Sequence, residues 1–280
     1  MRFLALFLVG LFLGCSQSPK ATTAARQEAA IEANRKGENY VRHGELENAA
    51  RSYREALRLS QSLEDPEGIA ANAINLSIVR QRQGRFADAR ASLAAVLEQP
   101  NLRFSQVRLA EVTLRHALLD LDQNQFSGAG EWLDQAARHC GERCALSSAI
   151  HNVRAQLALQ AGRIEEATAS ARSAQDTSRA AGDRGELANA LRLLGISSLH
   201  RGDAAAARTH LEQALALDRE VGAPRKIALD LLALGRAASL SGERDAARAY
   251  YARALAVSEA DRDHAGVAEA RAMLDAATGK

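Results

Sequence analysis

Hydrophobic and polar positions along most of this chain alternate with the spacing of amphipathic helices, and one small residue interrupts the pattern at nearly regular intervals. The interruptions lie 40, 40, 38, 40 and 40 residues apart. They are Gly44, Gly84, Asn124, Gly162, Gly202 and Gly242. Because Gly and Asn can adopt the left-handed conformation that ends a helix, each is predicted to separate two helices.

Two further positions repeat in register with these turns. An alanine follows each turn by five residues, at Ala49, Ala89, Ala129, Ala167, Ala207 and Ala247. The position nine residues after the turn is mostly bulky: Tyr53, Leu93, Leu133, Ala171, Leu211 and Tyr251. The small residue is expected to let two helices approach closely, and the bulky one to fill the space between them. A period of this length predicts stacked helix pairs in place of one central core.

This spacing resembles the tetratricopeptide repeat, in a longer form of about 40 residues. Leu194-Gly195 and Leu234-Gly235 match the Leu-Gly of the family's first helix, whereas the third repeat departs most, with Ala117 at that position. The resemblance implies an all-α fold, a right-handed α-solenoid of six helix pairs plus a C-terminal capping helix. The expected repeats are 28–63, 66–100, 103–140, 144–181, 184–221 and 224–260, with the cap at 263–277.

The N-terminus has a different character. Arg2 is followed by an uninterrupted apolar run over 3–13, which is shorter than the roughly 20 residues that span a bilayer. The segment Leu11-Phe12-Leu13-Gly14-Cys15 resembles a bacterial lipobox. The resemblance implies a signal peptide at 1–14, acylation of Cys15 with fatty acids such as palmitate, and a lipid-anchored tether over 15–27. With Ser16 after the cysteine, the expected location is the outer membrane, facing the periplasm. The alternative is an ordinary signal peptide with an incidental cysteine.

The other two cysteines, Cys140 and Cys144, stand four residues apart at the end of the third repeat. In an oxidising periplasm such a pair favours a disulfide. A metal site that adds His139 and His151 is the alternative, although the spacing matches no recognised zinc motif. Free thiols are the third possibility.

Charge and motifs narrow the function. The net charge is +2, and no basic run of the kind that binds nucleic acid is present in the sequence. No phosphate-binding loop, zinc-protease motif or nucleophile motif occurs. We therefore expect a protein that is not an enzyme and that uses neither a cofactor nor a metal ion.

The expected binding site is the concave face, because first-helix residues line it in the resembling family and hold partner peptides there. Transferred through the turn residues, the polar candidates are Asn34, Arg35, Glu38, Arg42, Asn75, Arg82, Arg115, Asn152, Gln156, Arg192, His200 and Arg236. Each of these side chains can instead merely solvate the groove. The sequence thus favours a periplasmic scaffold that binds a protein partner in an envelope complex, such as secretion, pilus or cell-wall machinery. Small-ligand sensing is one alternative, and an enzyme acting on cell-wall glycan is another.

Overall fold

The computed structural model describes residues 22–99, 101–141 and 144–278, and this part of the chain contains thirteen α-helices and no strand. The segment 1–14 and Cys15 lie outside it. The helices are α1 (Thr23–Arg42), α2 (Leu46–Ser62), α3 (Pro66–Arg82), α4 (Phe86–Leu97), α5 (Gln106–Asp122), α6 (Phe126–Cys140), α7 (Ser147–Gln160), α8 (Ile164–Ala181), α9 (Arg184–His200), α10 (Ala204–Val221), α11 (Pro224–Leu240), α12 (Arg244–Ala260) and α13 (His264–Thr278). The all-α solenoid of six helix pairs with a final unpaired helix is confirmed. Its first helix begins at Thr23, five residues before the predicted start at 28, because Thr22 caps it by accepting a hydrogen bond from the Ala25 N–H.

The six turn residues within the pairs have the predicted backbone conformation. Their φ angles lie between 56° and 77°, with Asn124 at the lower end of this range. The left-handed conformation turns the chain within two or three residues, so the second helix of each pair folds back onto the first. We refer to the first helix of a pair, odd-numbered from α1 to α11, as the A helix and to the second as the B helix.

The two kinds of helix occupy different sides of the solenoid. Each A helix packs against the A helices of adjacent repeats, whereas no two B helices among the described residues come within 8 Å between Cα atoms. The stack therefore curves, with the A helices on the concave side and the B helices on the convex side. The capping helix α13 continues the row of A helices, since it packs against both α11 and α12.

Within a pair, the two helices touch where a small A-helix residue meets a large B-helix residue. A Cβ atom added to Gly235 would lie 2.3 Å from Cε1 of Tyr251, and one added to Gly37 would lie 2.6 Å from Cε1 of Tyr53. Gly195 has the same relation to Leu211, at 2.5 Å from Cγ. These small residues all stand seven positions before the turn, a register that places Ser77, Ala117 and Ala155 at the equivalent point of the other pairs. The six alanines that follow the turns by five residues are at most 1 % exposed, so all six lie in the packed interior of the solenoid.

The middle of the chain departs from this regularity. Helix α4 has only 12 residues, and an irregular connection leads from it to Ser105, which caps α5. Helix α6 ends at Cys140, and Gly141 follows with a φ of 67°. The Sγ atoms of Cys140 and Cys144 are 2.03 Å apart, so the structure joins the end of α6 to the residues before α7 through this pair.

Adding one methyl group at Gly235 tests the close approach of the two helices of a pair. Gly235→Ala should lower the free energy of unfolding by about 1–2 kcal/mol, because the added carbon overlaps the ring of Tyr251 and overpacking of this kind costs about 1–3 kcal/mol. This loss outweighs the roughly 1 kcal/mol that alanine normally gains over glycine inside a helix. Urea unfolding followed by circular dichroism measures the difference.

Gly130→Ala is the matched control, since its added Cβ would meet only Leu157 at 3.9 Å, an ordinary contact distance. This variant should be neutral or stabilised by up to about 1 kcal/mol. Adding Tyr251→Leu to Gly235→Ala recreates the combination of Ala117 with Leu133 in the third repeat, so the double variant should be more stable than the two single changes predict together. Equal behaviour of Gly235→Ala and Gly130→Ala would contradict the packing account.

Candidate functional site

The concave face carries a groove of about 700 Å³ between α5 and α13. On α9 the lining residues after Glu186 stand 13, 10, 9, 6 and 2 positions before Gly202; they are Asn189, Arg192, Leu193, Ile196 and His200. The first four of these offsets recur on α7 and α11. The groove is therefore a direct product of the repeat, because the same faces of successive A helices line it.

Most of the groove floor is apolar. Val153, Leu193, Ile196, Leu229 and Leu232 lie along it, and Leu229 remains 46 % exposed. The polar groups are four amides, four charged side chains and one histidine: Asn152, Gln156, Gln160, Asn189, Glu186, Arg192, Arg236, Glu269 and His200. An apolar cavity of several hundred Å³ with a few converging polar groups is the usual form of a ligand-binding site.

The twelve predicted groove residues divide into three groups. Those that line the groove are Asn152, Gln156, Arg192, His200 and Arg236. Asn75 and Arg115 line a neighbouring cavity of about 310 Å³, which shares Leu114 and Leu118 with the groove. The remaining five border neither cavity: Asn34, Arg35, Glu38, Arg42 and Arg82. Position relative to the turn residue alone thus selects more residues than line the two cavities.

Several predicted side chains are already engaged within the protein. Arg115 is buried and donates to the Ser77 hydroxyl at 3.4 Å and to the Gln81 side-chain oxygen, and burial lowers its pKa to about 10. Arg35 pairs with Glu32 on its own helix at 2.8 Å. Such side chains stabilise the solenoid before they can contact a partner.

Arg192 shows this most clearly. Its Nε donates to Asp230 Oδ1 at 2.6 Å, and its Nη2 donates to Asp218. Its Nη1 donates to Asn189 Oδ1 at 3.0 Å. Both aspartates are fully buried, and they belong to the next two helices, α10 and α11. Arg192, Asp218 and Asp230, here called the charged junction, therefore tie the fifth repeat to the sixth.

The same three positions form a neutral version of this contact near the N-terminus. Asn34 Nδ2 donates to Asn72 Oδ1 at 2.7 Å, and Asn72 Nδ2 donates to Ser60 Oγ at 3.3 Å. Counted from the turns, Asn34, Ser60 and Asn72 correspond to the three members of the charged junction. Predicted groove residues at this register thus serve the stacking of repeats.

Asn152 has a role of its own at the junction of the fourth and fifth repeats. Its Nδ2 donates to the backbone oxygen of Glu186 at 2.9 Å and to Glu186 Oε2 at 2.7 Å. Asn189 Nδ2 donates to the same carboxylate oxygen at 3.2 Å. Glu186, Asn152 and Asn189 all line the groove, so this polar cluster interrupts an apolar surface.

His139, Cys140, Cys144 and His151 were the alternative metal site of the sequence analysis. His139 Nδ1 lies 2.9 Å from Gln106 Oε1, and the described residues contain no cluster of three or more His, Cys, Asp or Glu arranged to hold a metal ion.

Comparison with protein families agrees with this geometry. The tetratricopeptide repeat model matches residues 186–260, which include α9, α10, α11 and α12. Over these residues the chain matches the tetratricopeptide repeat. Among curated proteins, no significant match to the sequence was found.

Several solved structures share the fold of this chain at low sequence identity. BtubC from P. vanneervenii is 20 % identical, with a TM-score of 0.58 over 86 % of this chain and 93 % of that chain. A Rap protein complexed with competence and sporulation factor is 14 % identical, with a TM-score of 0.65 over 90 % of this chain and 71 % of that chain. The pilF protein of Pseudomonas aeruginosa is 20 % identical, with a TM-score of 0.50 over 74 % of this chain and 90 % of that chain. Likeness at this level establishes the fold.

The sequence did not reveal two features of this groove. Its apolar floor was missed because Leu193 and Ile196 have the spacing of core residues, although they line the groove. Glu186 was missed because an acidic residue in the first turn of a helix usually complements the helix dipole. The recurring offsets of 13, 10, 9 and 6 residues before the turn would have found the floor.

The charged junction predicts a pH dependence of stability. Burial raises the pKa of Asp230 to about 7, against the favourable effect of Arg192. The folded state therefore binds a proton that the unfolded chain releases near its ordinary pKa of 3.8, so the contribution of Asp230 to stability is fully present below about pH 4 and is lost as the pH rises to about 7. Asp230→Asn, which copies Asn72 of the neutral junction, should remove this dependence. Its stability relative to the wild type should rise between pH 4 and 7, on the order of 1–3 kcal/mol in all.

His116 has the opposite effect on the pH dependence of stability, and comparing Asp230→Asn with the wild type cancels it. Burial lowers the pKa of His116 to about 4, so its contribution falls as the pH drops below about 6.5 in both proteins. Asp275→Asn, at an exposed position of α13, is the control and should leave the pH profile unchanged. Parallel profiles of Asp230→Asn and the wild type between pH 4 and 7 would refute the prediction.

Proposed function

We propose that this tetratricopeptide-repeat protein is a lipid-anchored scaffold of the bacterial envelope that holds a protein partner in its concave groove. The observation that carries the proposal is the groove itself, about 700 Å³ in volume and mostly apolar, on the inner face of repeats three to six. An elongated apolar groove with amides along it suits an extended peptide segment, whose backbone supplies both donors and acceptors.

A similar solenoid supports the use of this fold for binding. The Rap protein is complexed with competence and sporulation factor. We extend this mode of use to the present groove, where the partner is a protein of an envelope complex such as secretion, pilus or cell-wall machinery.

The envelope location rests on the sequence before the solenoid. The apolar run over 3–13 and Cys15 have the arrangement of a lipoprotein signal, and several acyl chains suffice for stable membrane attachment. None of the helices in the described part of the chain is long and apolar enough to cross a bilayer. Lipid on Cys15 is the proposed anchor, and the outer membrane facing the periplasm is the proposed location.

Small-ligand sensing is the second candidate, and the groove volume favours it. Pockets for small molecules typically enclose about 300–1,000 Å³, a range that includes this groove. A ligand that raises the melting temperature without any protein partner would identify this function.

An enzyme acting on glycan has less support. It requires two carboxyl groups across the groove, one of them kept as a proton donor. Glu186 and Glu269 both line the groove, but two amides engage Glu186 and Arg236 pairs with Glu269 at 3.4 Å. We propose that the protein is not an enzyme.

A matched pair of variants tests the groove. Leu229→Arg places a charge on the groove floor, and Val221→Arg places one at an apolar position of similar exposure, 49 % against 46 %, that does not line the groove. When tagged proteins capture partners from solubilised envelopes, Leu229→Arg should lose the proteins that wild type and Val221→Arg retain. Identical capture by all three, or no enrichment by any, would contradict the scaffold.

The anchor has its own test. Cys15→Ser should abolish acylation and leave a soluble or uncleaved protein whose solenoid still folds, because Cys15 precedes every repeat helix. Metabolic labelling with a fatty acid and membrane fractionation report the two effects. Label and membrane association that persist in Cys15→Ser would show that the lipobox interpretation is wrong.

A further inference from the structure

We propose that the groove contains a subsite for a basic side chain, in which Glu186 binds a Lys or Arg of an extended peptide whose apolar residues lie on the groove floor. The proposal rests on the proposed function, since it names the chemistry of the peptide that the groove holds. Four observations support it.

The first is the fixed position of the Glu186 carboxylate. Its Oε2 accepts hydrogen bonds from Asn152 on α7, at 2.7 Å, and from Asn189 on its own helix, at 3.2 Å. Two donors from two helices restrict the carboxylate to one orientation, and among the described residues both hydrogen bonds to it use Oε2. The group is therefore preorganised, with Oε1 available to a ligand.

The second is the absence of a cation beside this carboxylate. No ion pair within the described ranges 22–99, 101–141 and 144–278 includes Glu186. The other charged side chains at the groove are compensated: Arg236 pairs with Glu269, and Arg192 is held by two carboxylates. A negative charge in a half-buried, mostly apolar site thus lacks a counter-ion, and a cationic ligand group supplies one.

The third is an acceptor next to Glu186 without a donor. Because Asn152 Nδ2 faces two oxygens of Glu186, the orientation of the amide is determined, and Asn152 Oδ1 has no hydrogen-bond partner among the described residues. The side chain is only 5 % exposed. Leaving a buried acceptor of this kind without a hydrogen bond costs folding free energy. An ammonium or guanidinium group carries several N–H donors, so a basic side chain bound at Glu186 brings donors close to this acceptor.

The fourth is the apolar surface that adjoins the cluster. Leu193 and Ile196 follow Asn189 along the same face of α9, and Val153 follows Asn152 on α7. A peptide with a basic residue at Glu186 therefore has apolar contacts next to it. An acidic side chain at the same point would meet the Glu186 charge, so the site discriminates by repulsion as well as by attraction.

Selection from a random peptide library tests the proposal with the full-length protein in detergent. Heptapeptides that the wild-type protein retains should be enriched in Lys or Arg next to apolar residues. For one enriched peptide, the dissociation constant is then measured by fluorescence anisotropy, alongside a version with norleucine in place of the basic residue.

Glu186→Gln is the decisive variant, because it keeps the shape and the acceptor for Asn152 and removes the charge. It should weaken binding of the basic peptide on the order of tenfold and leave the norleucine peptide unchanged, as expected for a lost charged hydrogen bond. Glu165→Gln is the matched control, an exposed glutamate in the first turn of α8, and should change neither affinity. Unchanged thermal melting verifies that both variants are folded.

The outcomes separate the subsite from the groove. Peptides that bind without basic residues, or that Glu186→Gln binds equally well, overturn the subsite, and the scaffold stands if Leu229→Arg still abolishes binding. A library that yields no peptide, or only peptides insensitive to Leu229→Arg, overturns the subsite and the peptide-binding groove together. Binding of free lysine or arginine as tightly as the basic peptide would identify a small-molecule site and would also overturn the proposal.

Discussion

The solenoid depends on one steric constraint, the contact between a small A-helix residue and a larger B-helix residue at the middle of most of the pairs. Where tyrosine stands on the B helix, as at Tyr53 and Tyr251, glycine faces it, and Gly195 faces a leucine. This contact sets how closely the two helix layers approach. The left-handed turn fixes the phase at which they meet, and the offsets of every other position from the turn follow from it. The concave face is a consequence of this packing.

That origin explains why stability and recognition compete for the same side chains. The A helices are packed between neighbours, so a polar group on their inner face is partly buried and must find a partner nearby. Arg192 and Arg115 find theirs within the protein and contribute mainly to the stacking of repeats. Glu186 is different, because its neighbours hold it with amides and leave its charge uncompensated. The proposed binding capacity therefore lies where a charged side chain at the contact between two repeats has no ion-pair partner.

The sequence predicts the features that recur with the period of about 40 residues. The turn residues, the buried alanines after them and the helix pairs could all be found, because each recurs in register. Gly37 and Ala155 were not recognised as close-approach positions, since Lys36 and Arg154 precede them where the family has leucine. Arg192 was interpreted as a groove residue because its partner Asp218 lies 26 residues away on another helix, and a repeat pattern does not specify which side chains meet across a junction. Such contacts depend on three-dimensional packing, and only a structure supplies it.

The charged and neutral junctions also constrain how a repeat protein can change over time. Near-identical repeats invite unequal recombination, which deletes, duplicates or reorders units. If the sixth repeat followed the first, Asp230 would enter a junction formed by Asn34 and Ser60, where a buried carboxylate has no guanidinium to meet it. A chain so rearranged would keep every turn and every helix yet fold poorly. The polar residues at the junctions thus make each repeat specific for the repeat next to it. They preserve the order of the repeats, which the periodicity alone would not determine.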